Sequence, residues 1–330
     1  MKKILITGGA GFIGYHLTLQ LLKEECDITL VDNFSRGVHD DALLELKNKK
    51  NIHIADLDLI DYDKVMTLDR DFDYIYHFAA IIGVQNVIEH SYDVLTKNVI
   101  LLTNMISLAK EQQHLQRFVF ASTSEIYAGT LEYFEMQIPT PEVTPLAITS
   151  LDAPRTSYML SKIYGEALVR QAGIPYTIVR PHNFYGPRMG MSHVIPELLK
   201  KVRDLPDGEE LPVYSVEHTR TFCYIDDAVM MIKLLAEDQK ALNEVFNVGN
   251  QEPEVTIEQV AKLVISTVGK KVSIHPMPAT SGSPTRRCPN TEKMLKCVGY
   301  ESKTDLAMGI MKTYQWYSEN IFSGKTLSAR

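Results

Sequence analysis

Tyr158 and Lys162 stand four residues apart in YMLSK, so on a helix both project from one face. An ammonium beside a phenol stabilises the phenolate and draws its pKa down from about 10, which makes Tyr158 a base for a hydroxyl group. Upstream, ASTSEIY follows the apolar run RFVF. Thr123 can hydrogen-bond the hydroxyl that Tyr158 deprotonates. Ser124 and Glu125 come next, and a glutamate enclosed beside a ketone can remove the acidified proton of the neighbouring carbon.

A second constellation opens the chain. Gly8, Gly11 and Gly14 in TGGAGFIG follow KILIT directly and precede a helical pattern. Gly8 permits a tight turn, Gly11 a close approach of backbone to a pyrophosphate, and Gly14 close packing of helix on strand. The helix N-terminus then faces the phosphates. Asp32 closes the run LVDN, where a carboxylate can accept both hydroxyl hydrogens of a ribose; this favours NAD over NADP, because a 2′-phosphate would meet a like charge. Arg36 nearby offers such a phosphate a partner, so that alternative stays open. Asp56 and Leu57, after the next apolar run, could flank an adenine.

These groups must be held by regular elements, and the periodicity supplies them. Short β-branched runs (KILIT, DITLVD, NIHIADL, DYIYHFAA, RFVFAST) alternate with amphipathic stretches over 12–25 and 91–111. Strands alternating with helices predict β-α-β units and a Rossmann-type doubly wound parallel sheet. After a proline-rich connection over 137–154, a helix from about Tyr158 to Ala172 leads to YTIVRP, which extends the sheet. Beyond Pro181 the segments shorten and Pro, Gly and charges increase. We read residues 1–180, with about 221–248 returning to them, as the dinucleotide-binding domain. Residues 181–220 and 249–330 then form a smaller C-terminal α/β substrate lobe.

Composition agrees with two modest domains in 330 residues. Hydrophobic residues at 45% and charged residues at 23% exclude a disordered, collagenous or coiled-coil chain. A formal charge of −7 gives no general attraction to nucleic acid or acidic lipid, so an anionic ligand needs local amides and arginines. The start MKKILITGG is too short in its apolar run for a secretory leader. The longest uncharged stretch, 74–88, carries His77, Gly83, Gln85 and Asn86, which speaks against a membrane span. The four cysteines show no metal or redox spacing, no metal is expected, and a cytoplasmic location fits.

In order and spacing, TGGAGFIG, Asp32, HFAA, ASTSEIY and Tyr158-x-x-x-Lys162 resemble the extended short-chain dehydrogenase/reductases that modify nucleotide sugars. RPHNFYGPRM, TRTFCYIDD and SPTRRCPN resemble that family's substrate-lobe segments, so the likeness spans nearly the whole chain. The resemblance implies tightly held NAD, contacted also by Phe12, Ile13, Asn33, Ala79, Ala80 and Asn98, with Lys162 a ribose ligand. It implies a UDP-sugar substrate near Asn183, Arg188 and the backbone at Val194, with Arg220 and Arg287 (or Arg286) on the pyrophosphate and Arg155 nearby. It also implies a homodimer packed through the helices around 91–111 and 158–172.

Family members oxidise the sugar at C4 and then diverge, because a 4-ketone acidifies the C5 hydrogen. Thr123-Ser124-Glu125 with Arg155 resembles both GDP-mannose 4,6-dehydratases and UDP-glucuronate decarboxylases. Many dehydratases have Asp where Ser124 stands; decarboxylases carry an extra arginine where this chain reads GMSHVIPELL, with only His193 as a cation. The resulting expectation is an NAD-dependent dehydratase of a UDP-hexose, most simply UDP-N-acetylglucosamine, with Glu125 removing the C5 proton. A UDP-glucuronate decarboxylase or a 4-epimerase of the same family stays open. A non-catalytic NAD-binding regulator would be expected to lose a catalytic residue, and Thr123, Tyr158 and Lys162 are all in place.

Overall fold

The computed structural model describes residues 1–36, 40–279 and 283–323. Seven strands pair side by side, all in parallel. They are β1 (Lys2–Thr7), β2 (Cys26–Asp32), β3 (Ile52–Asp56), β4 (Tyr74–His77), β5 (Arg117–Ala121), β6 (Tyr176–Pro181) and the edge strand Glu244–Val248. Their order is β3-β2-β1-β4-β5-β6-(Glu244–Val248), so the winding reverses between β1 and β4. At such a reversal the connections diverge to opposite faces and leave a crevice at the carboxyl ends, where ligands of open α/β sheets bind.

Alternation along β1 explains the two cores. Ile4 and Ile6 face one layer, with Leu17 of helix α1 (Phe12–Leu21) and Ile232 of the Ile225–Glu237 helix. Leu5 faces the other, with Met105 of the Ser91–Lys110 helix and Val169 of the Pro154–Gln171 helix. Both faces are covered, as continuous apolar strands require. Each fully buried Leu or Ile side chain contributes roughly 2 kcal/mol. The first layer continues into Val202 and Val260 of the helices Val194–Asp204 and Ile257–Val268, so the later part of the chain is packed onto the sheet through a shared core.

Most expected elements appear, with shifted ends. Helix α1 stops at Leu21 rather than Glu25. The helix carrying Tyr158 starts earlier, at Pro154, whose fixed φ and missing N–H suit a first helical position. Gly165 in that helix has no side chain because a Cβ would lie 2.6 Å from the Phe120 ring. The helix can therefore lie close to β5, within reach of the turn after that strand. As expected, EVFNVGN joins the sheet beside β6, and FCYIDDAV supplies the short strand Cys223–Tyr224 and a helix packed on α1.

Candidate active site

At the dinucleotide end, the turn after β1 is shaped by its glycines. Gly8 has φ +69°, and a Cβ there would lie 3.0 Å from Ala79 N; at Gly14 it would lie 2.3 Å from Gly8 O. Gly11 precedes α1, whose first turn, Phe12 and Ile13, presents backbone N–H groups without helical partners. Beside this cradle, the Asp32 carboxylate accepts Ala10 N–H at 3.0 Å and Phe34 N–H at 2.9 Å. A carboxylate so fixed beside an open glycine turn fits a ribose diol. Asn33 is exposed and caps Ser35 N–H, Leu57 N–H is bonded to Asp32 O, and Asp56 lies exposed alongside.

Arg36 does not wait beside Asp32 for a 2′-phosphate. Its Nη1 donates to Ile82 O at 2.6 Å, across the groove on the loop after β4. Ala79 and Ala80 are half-buried in that loop, with Ala79 N–H on Thr7 Oγ1 at 3.2 Å. Asn98 is engaged within the chain: both ends of its amide hold Ile81, through Ile81 N–H at 2.7 Å and Ile81 O at 3.1 Å. It is 5% exposed and fixes the loop after β4. Below, buried His77 is held neutral, its pKa pulled down to about 3 by burial.

Tyr158 and Lys162 share a helix face as expected. Thr123 hydrogen-bonds the Tyr158 hydroxyl, and Thr123 Oγ1 also accepts Glu125 N–H at 3.2 Å. The phenol, however, is pushed up rather than down, by burial first and then by the charge of Glu125; Thr123 and Arg36 pull the other way. Lys162 Nζ donates to Ala121 O at 2.8 Å and lies 5.8 Å from the centre of the Tyr158 ring. Burial draws its pKa down to about 8, which weakens the cation meant to acidify the phenol. The expected lowering of the tyrosine therefore does not arise from this i,i+4 pair by itself.

Opposite Tyr158, the chain assembles a charge cluster that sequence spacing does not reveal. Arg287 Nη1 donates to Glu125 Oε1 at 2.9 Å across 162 residues of chain. Glu125 is held below the usual carboxylate range, chiefly by Arg287 and further by Arg155 and Arg220. The tandem arginines are distinguished by strand alternation: Arg287 turns to Glu125, while its neighbour Arg286 turns to Glu254, with contacts of 2.8 and 2.9 Å. Arg220 is wrapped by Ser283, Pro284 and Thr219 oxygens, and burial pulls its pKa down to about 10. Ser124 is buried beside Glu125, whereas Arg155 is exposed.

Of the other expected substrate contacts, Asn183 adopts φ +45° and donates through Nδ2 to Thr221 O at 2.9 Å. Val194, 39% exposed, begins an eleven-residue helix. Arg188 is engaged by other parts of the chain. It is buried against Asp40, donates to Ala10 O and stacks 4.0 Å from the centre of the Tyr15 ring, so it braces the glycine turn from beneath. The RPHNFYGPRM segment carries no sign of this, because Asp40 lies 148 residues away.

A dinucleotide cradle at the switch point of a parallel sheet, a Thr-Tyr-Lys set and an arginine cluster define a nucleotide-sugar enzyme of the short-chain dehydrogenase/reductase type. The chain belongs to the NAD dependent epimerase/dehydratase family, whose model matches residues 4–249. It is similar to the UDP-N-acetyl-alpha-D-glucosaminuronate decarboxylase of Bacillus cytotoxicus, 30% identical over 96% of this chain and 98% of that protein. UDP-glucuronic acid decarboxylase 1 of Danio rerio is 32% identical over 97% of this chain and 73% of its own length. Among solved structures, UDP-glucose 4-epimerase of Thermotoga maritima superposes with a TM-score of 0.83 at 26% identity, covering 97% of this chain and 99% of that one. The dTDP-glucose 4,6-dehydratase of Streptomyces venezuelae, solved with NAD, gives 0.83 at 25% identity, covering 99% and 100%. NAD is the cofactor of this family, and no helix among the described residues is long and apolar enough to cross a membrane.

Proposed function

We propose that this chain is a decarboxylase of a UDP-hexuronate. The observation that carries the reading is the Glu125–Arg287 pair, with Arg155 and Arg220 acting on the same carboxylate. Arg220 is taken up by the diphosphate that every UDP-sugar carries, and Arg287 on Glu125 is then the guanidinium that matches a C6 carboxylate. The cluster supplies the cation that GMSHVIPELL lacks. Relatives named for uronates point the same way, and UDP-N-acetylglucosamine, the substrate expected from sequence, gives way to its C6-oxidised class.

Each residue has its own part in the reaction. Bound NAD supplies hydride removal at sugar C4 and its return. Tyr158, oriented by Thr123, takes the C4 hydroxyl proton; Lys162 holds the helix to β5 and binds the cofactor's ribose. The resulting 4-ketone stands β to the C6 carboxylate. The C5–C6 bond then breaks, carbon dioxide leaves, and the electron pair moves to the C4 oxygen, after which C5 takes a proton from water. Arg287 seats the departing carboxylate, and Glu125, as a carboxylate, fixes the guanidinium. Gly8, Gly11, Gly14 and Asp32 hold the dinucleotide, with the UDP diphosphate at Asn183, Val194 and Arg220 in the cleft between the two lobes. We read the enzyme as a cytoplasmic homodimer; exposed Tyr92, Ile100 and Tyr164 on the outer faces of the paired helices support the dimer.

One observation keeps dehydration as a second reading: Glu125 stands ionised with buried Ser124 beside it, the base and donor that loss of a 6-hydroxyl would use. Mass spectrometry of products from UDP-glucuronate, UDP-N-acetylglucosaminuronate and UDP-N-acetylglucosamine, each with NAD, decides between them. Loss of carbon dioxide from a uronate is expected. Loss of water from the neutral sugar, with the uronates untouched, would replace this reading with dehydration.

A further inference from the structure

The Glu125–Arg287 pair joins the turn Ser124–Tyr127 to the strand Arg286–Arg287, 162 residues on, so something must hold their separation. We propose that Asn247, in the edge strand Glu244–Val248, is the positioning residue that sets this pair. The inference rests on reading Glu125 and Arg287 as the reacting pair.

Asn247 is fully buried, and its amide is saturated. Its Oδ1 accepts the Tyr127 hydroxyl at 3.0 Å and meets His182 Nε2 at 3.1 Å. Its Nδ2 donates to Thr140 O at 2.9 Å and Asn290 O at 3.2 Å, and its backbone N–H donates to Glu142 Oε1 at 2.8 Å. Two carbonyls on one side fix which end is NH2, so His182 must donate from Nε2. Tyr127 lies two residues after Glu125 on the same single turn, Ser124–Tyr127. Asn290 lies three residues after Arg287 and is zipped to the proline-rich connection, with Thr140 N–H on Cys288 O and Asn290 N–H on Thr140 O, both at 2.9 Å. One amide thus grips both flanks of the ion pair without touching either charge.

Aspartate has the same shape but sets an anionic oxygen against the Thr140 and Asn290 carbonyls, so Asn247→Asp should push the Arg287 segment away. Glu125, relieved of its cation, should then titrate higher. Tyr127→Phe leaves the amide in place and cuts the tie to the Glu125 turn; it also takes one acceptor from Arg180, which keeps Glu166 and the Glu142 carbonyl. Infrared titration of the Glu125 carboxylate, identified by difference from Glu125→Gln, reads the effect directly. We expect the titration to move up by about one pH unit in Asn247→Asp and less in Tyr127→Phe. With UDP-glucuronate, NAD reduction should persist while carbon dioxide release falls roughly 10- to 100-fold. An unchanged Glu125 titration in the folded variants overturns the proposal, and Tyr127→Phe decides alone if Asn247→Asp does not fold. Should wild-type enzyme release no carbon dioxide, the functional reading falls while the titration still judges this one.

Discussion

The dinucleotide cradle and the Glu125–Arg287 pair serve one site, yet they are built in opposite ways. The cradle draws mainly on consecutive chain, from Gly8 through Asp32 to Phe34, and its contacts are backbone amides held by absent side chains. The charge pair joins residues 162 apart, and its flanks are linked through the Tyr127 and Asn247 side chains to the Asn290 carbonyl. The first is stiff because there is no room for anything else. The second is adjustable, because each link is a hydrogen bond that one atom can remove. A family that keeps one redox step and varies the chemistry after it can be expected to vary the second kind of construction.

The sharpest way to break the contrast is at Gly14. Its Cβ would sit 2.3 Å from the Gly8 carbonyl, so Gly14→Val should leave a chain that neither folds fully nor retains NAD, seen by circular dichroism and by cofactor content after gel filtration. Tyr158→Phe should fold normally but lose about 10³-fold in kcat at the hydride step, read by NADH formation in a single turnover.

A pH titration of stability compares the two ends next. His77 under the cradle and His182 beside Asn247 are both neutral, with pKa values pulled from 6.5 down to about 3 by burial. Between those values the unfolded chain binds more protons, so stability is complete above pH ~6.5 and is lost as pH falls toward 3. From pH 7 to 5 each histidine should cost about 2 kcal/mol in urea unfolding. His182→Asn should remove its own share of that slope, and a full slope in this variant would mean that His182 carries no proton-linked strain. The smallest effect is expected at Arg286→Ala, whose exposed bond to Glu254 should be worth at most about 1 kcal/mol in thermal melts, with turnover unchanged. Arg287→Ala one residue along should instead abolish product; equal effects would erase the distinction that strand alternation makes.

Legibility in the sequence divides along the same line. The strand–glycine–helix opening, the carboxylate ending β2 and the Tyr-x-x-x-Lys helix are local patterns, and all three stand where their spacing puts them. The switch from period two to period 3.6 is enough for the parallel sheet. The family resemblance marks Arg287 for a diphosphate and the sequence marks Glu125 as a base, but no spacing links the two as partners. Arg188, expected at the substrate, instead lies under the cradle against Asp40; a buried arginine looks the same in sequence whichever carboxylate it meets. Asn247 is silent within EVFNVGN, since an asparagine in a strand signals nothing until its neighbours are known.

The long separation between Glu125 and Arg287 also matters before the enzyme is finished. On a ribosome adding ~5–20 residues per second, Glu125 leaves synthesis on the order of ten to thirty seconds before its partner. During that interval the glycine turn and the first six strands can already pair, while the carboxylate waits without its guanidinium. The nascent protein thus has its dinucleotide-binding half well before it owns Arg287, the partner of Glu125.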